Sequence, residues 1–142
     1  MSSRARLISG VALLLALAAC GDDSVGPPER VVKAQPSFAT DIIEIFERRG
    51  CSASDCHGAM GGRAGLELVG SAVADYAQLV NVGAALEAFD RVVPGNADDS
   101  YLVIKIEGRQ SIGQRMPIDG APLDDIDLTN IRNWVENGAP NN

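Results

Sequence analysis

Apolar residues are spread unevenly along this 142-residue chain. Residues 11–19 (VALLLALAA) form an unbroken apolar run. Beyond it, apolar positions recur at helical spacing. Phe38, Ile42, Ile45 and Phe46 share one helical face, which predicts a helix over 37–49. Pro36 and Ser37 suit its start, Arg48 and Arg49 its C-terminal turn, and Gly50 the position just past it. Residues 72–80 predict a second, short helix. Asp98, Asp99 and Ser100 suit the start of a third over 101–107. Asp124 or Asp125 caps a last helix, whose apolar positions are Ile126 or Leu128, Ile131, Trp134 and Val135 and which Asn137-Gly138 ends. Val93-Pro94-Gly95 reads as a turn, and 51–65 and 108–122 as loops. No alternating apolar–polar run is long enough for a sheet. The predicted class is all-α, with short helices and long loops.

The run at 11–19 is too short to cross a bilayer alone, which takes about 20 apolar residues. With Arg4 and Arg6 before it and small residues after it, it has the form of a signal peptide. Its end, Leu17-Ala18-Ala19-Cys20, resembles the lipobox of bacterial lipoproteins. The resemblance implies that residues 1–19 are removed and that Cys20 becomes a lipidated N-terminus, held to the membrane by several acyl chains. An ordinary secretory signal with an incidental cysteine is the alternative. Residues 20–36, with their Gly, Pro and Asp, then read as a tether, and 37–142 as the single domain. This places the protein in the cell envelope, facing the periplasm or the exterior.

Charge narrows the partners. Lys plus Arg total 12 against 19 Asp plus Glu, a net charge of -7 that becomes -9 when Arg4 and Arg6 leave with the signal. An isoelectric point near 4.6 argues against nucleic acid. The paired acids Asp98-Asp99 and Asp124-Asp125 read as helix caps and not as calcium ligands. Only six aromatic residues serve the whole chain, few for a small domain that must build its own core.

With Cys20 assigned to lipidation, Cys51 and Cys56 remain, and the sole histidine, His57, directly follows the second. Cys-x-x-Cys-His is the c-type haem attachment pattern; Cys51-Ser-Ala-Ser-Asp-Cys56-His57 is two residues longer. Two thiols on one short loop can add to the two vinyl groups on one haem edge, and the adjacent imidazole can bind the iron. The small or polar residues 52–55 leave room for the loop to bulge. A Cys51–Cys56 disulfide, natural in an oxidising compartment, and a three-ligand zinc site are alternatives. Neither accounts for the only histidine following the second cysteine. A second axial ligand has two candidates in the mature chain. Met60 is only three residues past His57 and poorly placed to reach the other haem face. Met116 lies 59 residues on, before Pro117, which biases it to an extended backbone.

The segments Cys56-His57-Gly58, Val93-Pro94-Gly95, Ser100-Tyr101-Leu102, Arg115-Met116-Pro117 and the stretch from Leu123 through Ile131 and Trp134-Val135 to Asn137-Gly138-Ala139 together resemble a class I cytochrome c domain of the kind found in bacterial lipoproteins and planctomycete-type cytochromes. The resemblance covers about residues 38–140. It implies one covalent haem c attached through Cys51 and Cys56, with His57 and Met116 as axial iron ligands. It also implies first and last helices that cross beside the haem, near Phe46 and Trp134. The implied role is a membrane-tethered one-electron carrier, not an enzyme, docking on partner proteins that present a basic patch. A non-redox lipoprotein module with a Cys51–Cys56 disulfide is the alternative. A haem protein with an open distal side, as in a gas sensor or peroxidase, is a third reading.

Overall fold

A computed structural model describes residues 29–59, 62–118 and 120–142. The predicted signal, Cys20 and tether residues 20–28 lie outside the described residues. The chain is all-α as expected, with four α-helices and no strand among the described residues. They are α1 (Ile43–Arg48), α2 (Ala72–Leu79), α3 (Tyr101–Glu107) and α4 (Asp125–Glu136). Three isolated β-bridges pin the long connection before α3: Val80 with Val92, Gly83 with Asp90, and Val93 with Asn96.

The helix predicted over 37–49 is divided. A π-helical turn, Phe38–Ile42, precedes α1, because the Ser37 carbonyl accepts from both Asp41 N–H (2.9 Å) and Ile42 N–H (3.2 Å). The open N–H groups of this first turn are met by Asn142. Its side-chain oxygen accepts from Phe38 N–H at 2.9 Å and its carbonyl from Ala39 N–H at 2.8 Å. The first helix is thereby tied to the tail that follows the last. Gly50, at φ +71°, ends α1 as its position predicts.

Asp124 caps α4 by accepting from Asp127 N–H at 3.0 Å. Ser100 does not cap α3. Its hydroxyl donates to the Asn96 carbonyl at 2.7 Å and accepts from Val93 N–H at 2.9 Å, closing the Val93-Pro94-Gly95 turn from within. Residues 30–34, read from sequence as tether, lie along α4 instead. Asn130, Asn133 and Asn137 share one face of that helix and donate to the carbonyls of Val31, Lys33 and Ala34.

The core has an aromatic end. Phe38 packs against Trp134 at 4.9 Å between ring centroids and edge-on to Tyr76 at 5.4 Å. The Trp134 indole donates to Pro140 O at 3.0 Å and the Tyr76 hydroxyl to Ala139 O at 2.9 Å, so both polar tips are satisfied. Phe38, not Phe46, is thus the ring neighbour of Trp134. Phe46 faces a cavity described below.

A second constraint is electrostatic. The Asp127 side chain is 2% exposed and accepts from Arg48 at 2.7 and 3.0 Å, Arg49 at 2.6 Å and Arg30 at 3.0 Å. Asp124 accepts from Arg30 at 2.8 Å and Arg49 at 2.6 Å. This cluster joins the segment before α1, the end of α1 and the start of α4. Burial works against the ionised Asp127 carboxylate, but the hydrogen bonds from Arg48 and Arg49 outweigh it and hold its pKa below the ordinary value. The Asp127 N–H, with Arg30 and Arg49, lowers Asp124 from 3.8 to about 2.

Two outcomes follow from the cluster. Asp127→Ala leaves three arginines without their shared partner and is expected to cost about 3–5 kcal/mol in urea unfolding; a loss under about 1 kcal/mol, the worth of an exposed pair, would contradict its role. Carboxyls with depressed folded-state pKa values stabilise above their unfolded values and lose that contribution as pH falls through the folded ones. The urea midpoint is therefore expected to be level above about pH 5 and to drop from about pH 4 towards pH 2. The drop should be shallower in Asp124→Asn, which keeps a capping side chain; an unchanged slope argues against Asp124 as a contributor.

Candidate functional site

The cysteine segment begins two residues after the arginine pair of the ionic cluster. Gly50 turns the chain, and Cys51 N–H donates to the Phe46 carbonyl at 2.8 Å. The inserted residues then fold back on themselves. Cys56 N–H and Gly58 N–H both donate to the Ala53 carbonyl at 2.9 Å, and His57 N–H donates to the Cys51 carbonyl at 3.0 Å. That last bond closes the longer loop, so its two ends meet despite four intervening residues. Both thiols line the same cavity, and both are free. The disulfide alternative is not adopted here. A Cβ on Gly58 would sit 2.5 Å from the Ser52 carbonyl oxygen and 2.8 Å from that of Ala53, so only glycine fits this fold-back.

A second strand of chain steadies the histidine. Arg63 N–H donates to Cys56 O at 3.0 Å, and Leu68 N–H donates to His57 O. Between them, Leu66 O lies 3.3 Å from His57 Nδ1. A carbonyl can only accept, so Nδ1 carries the hydrogen in this contact. Burial holds the imidazole pKa below the ordinary value, leaving a neutral ring. A neutral imidazole whose Nδ1–H is fixed by a carbonyl is the usual form of a metal-binding histidine. Burial also pushes the Cys51 thiol up to about 11. It stays protonated at neutral pH in the metal-free chain. Among the described residues no group of three or more His, Cys, Asp or Glu side chains is placed to hold a metal ion.

Cys51, Cys56, His57 and Met116 all line one cavity of about 330 Å³. Its remaining walls are mostly aliphatic: Ile45, Leu68, Leu79, Leu123 and Ile131, with Phe46. Met116 is half-buried, and its N–H donates to Lys105 O on α3 at 2.9 Å. The Met116–Pro117 peptide bond is cis. Met60, set aside above on spacing, lies outside the described residues. The site residues read from sequence within the described chain are therefore brought together, three on one closed loop and the fourth 59 residues later.

Sequence reasoning passed over two residues of this wall. Arg91 and Lys105 also line the cavity, each 9% exposed. Lys105 had a signal: it is the one charge within the apolar run Tyr101-Leu-Val-Ile-Lys105-Ile106. Arg91 had none, since nothing local distinguishes it from a surface arginine.

No family model, curated protein or solved structure matches this chain. Among the described residues no helix is long and apolar enough to cross a membrane.

Gly58→Ala is expected to open the fold-back and cost roughly 1–3 kcal/mol, as overpacking does in a close-packed site. Limited proteolysis should then cut within 51–58 faster than in wild type; equal stability and equal cleavage would show that the loop tolerates a Cβ.

Proposed function

We propose that this protein is a mono-haem c-type cytochrome of class I type, a lipid-anchored one-electron carrier of the cell envelope. The observation that carries the proposal is the convergence of Cys51, Cys56, His57 and Met116 on one mostly aliphatic cavity. Two thiols, an imidazole and a thioether are the donor set a c-type haem takes.

A bound haem would supply the Fe(III)/Fe(II) couple. The residues of the chain do the rest. Cys51 and Cys56 fix the group covalently and prevent its loss. The Leu66 carbonyl orients His57 and enriches its Nε2. Met116 offers a soft sulfur that favours the reduced state. The mostly aliphatic part of the wall would limit water beside a bound group and keep reorganisation small. Were His57 and Met116 both to bind the iron, no position would be left for substrate, which would set the reading apart from a gas sensor or peroxidase. The acidic mature chain suits a partner with a basic docking patch, an association that weakens with salt. Cys20 supplies the membrane anchor.

Full-length protein made in a host with haem-maturation machinery should show an intense Soret band and stain for haem after denaturing electrophoresis. Cys51→Ser and Cys56→Ser should each weaken the stain, and Met116→Ala should remove the weak far-red band of sulfur-to-ferric-iron ligation while keeping the Soret band. A colourless, unstained wild-type protein would falsify the assignment.

A further inference from the structure

Arg91 and Lys105 differ from the other buried or half-buried cations. Half-buried Arg49 and Arg132 pair with carboxylates, as do the exposed Arg30 and Arg48; half-buried Arg115 donates to Met116 O at 3.1 Å and Gly120 O at 2.9 Å within its own loop. Arg91 and Lys105 are more buried, at 9% exposure each, yet no carboxylate among the described residues lies within ion-pair distance of either. Their hydrogens go to chain oxygens instead. Arg91 Nη1 donates to Gln78 O at 2.7 Å and Gln78 Oε1 at 3.4 Å, and Nη2 donates to Gly65 O at 2.9 Å and Ala64 O at 3.4 Å. All four Nη hydrogens are thus spent on neutral oxygens. Lys105 Nζ donates to Gln114 O at 2.6 Å and Ile112 O at 3.5 Å and lies 5.9 Å from the centre of the Tyr101 ring.

The oxygens they collect belong to two loops. Ala64 and Gly65 are in the segment that returns past His57 and presents the Leu66 carbonyl to its ring. That segment is bent hard: Ala64, which is not glycine, sits at φ +57° and Gly65 at φ +69°. A non-glycine residue there persists only when its surroundings hold it. Ile112 and Gln114 are in the loop that carries Met116, whose own N–H is bonded to the Lys105 carbonyl. Lys105 therefore grips that loop through both its side chain and its backbone. The Glu87 carboxylate assists from outside, accepting from Ser111 N–H at 3.1 Å and Ile112 N–H at 2.9 Å.

We propose that Arg91 and Lys105 are paired positioning residues, each a buried cation that gathers the carbonyls of one ligand-bearing segment: Arg91 holds the 63–66 bend that orients His57, and Lys105 holds the 112–116 loop that presents Met116. The proposal rests on the cytochrome reading for what the two segments present, but the clamping itself is a property of the chain. It assigns these charges to backbone carbonyls and not to balancing charge on a bound group.

The test uses the haem-loaded full chain and its Arg91→Leu, Arg91→Lys, Lys105→Leu and Lys105→Arg variants. Amide hydrogen exchange is read at Leu68, bonded to His57 O, and at Met116, bonded to Lys105 O, beside the far-red sulfur band and the reduction potential. Arg91→Leu is expected to speed exchange at 63–68 by about tenfold and to leave 112–116 within about twofold. Lys105→Leu is expected to do the reverse and to diminish the sulfur band. Arg91→Lys and Lys105→Arg, which keep a cation, should retain part of the protection, and they carry the test where a leucine variant does not fold. Unchanged exchange in both segments with only a shifted potential would overturn the proposal, because the cations would then act as charges alone. Equal loosening of both segments would also overturn it. A wild-type chain without haem removes the cytochrome reading, while the segment-specific exchange pattern still decides whether the clamps exist.

Discussion

The site depends on one buried carboxylate. Asp127 lies at the first turn of α4, out of water, and takes four N–H bonds from Arg30, Arg48 and Arg49. Removing a carboxylate from water costs several kcal/mol, and a single partner does not offset that reliably. Three arginines with charge-assisted bonds do, and they fix geometry in the process. Arg48 and Arg49 are the last residues before Gly50 and Cys51. The cluster therefore decides where the cysteine loop leaves α1 relative to α4. Its value is in register more than in raw stability, since a well-packed apolar replacement of the whole cluster would be no less stable in principle.

The distribution of aromatic residues follows the same division of labour. Phe38, Tyr76 and Trp134 meet at one end of the core, closed by Ala139 and Pro140. Phe89 and Tyr101 stack at 6.1 Å elsewhere, which leaves Phe46 and Tyr101 as the rings facing the cavity. The remaining wall is largely aliphatic. A chain with six aromatics thus spends three of them on a rigid hinge between the first and last helical segments. It surrounds its cavity with branched side chains, which pack closely against a flat apolar body in the proposed reading.

What could be read from the sequence was local, and what was missed was not. Gly50 past α1 and the choice of Asp124 or Asp125 before α4 act within one turn of chain, so residue type narrows them to one or two positions. The site residues were legible because thiols, imidazole and thioether are rare in this chain and chemically distinctive. The partner of the first turn's open N–H groups was not, because it is Asn142, 104 residues from Phe38. The strap at 30–34 was hidden likewise. Its carbonyls are bonded by three asparagines of α4, and nothing in residues 30–34 themselves announces a partner. Ser100 misled in the opposite sense: it has a capping residue's chemistry, but its hydroxyl is claimed by a turn.

The two halves of the site are held by different kinds of bond, and this sets their relative stiffness. Around His57, Arg91 adds a longer restraint from 26 and 27 residues away, but the backbone restraints are short in sequence: Cys51 to His57, Ala53 to Gly58, Cys56 to Arg63 and His57 to Leu68. Such contacts close small loops at little entropic cost and re-form quickly when broken. Met116 is restrained across longer stretches, by Lys105 from within and by Glu87 from 24 and 25 residues away. Both sides carry exposed chain, Ser111, Ile112 and Gly113 on one and Arg63, Ala64 and Gly65 on the other, while Cys51, Cys56, His57 and Met116 themselves are half-buried. Opening the methionine loop breaks bonds from Lys105, Glu87 and Arg115 together. Under the cytochrome proposal, a histidine side held by close backbone bonds and a methionine side held across longer stretches would let a group attach at the cysteines before the methionine loop closed over it.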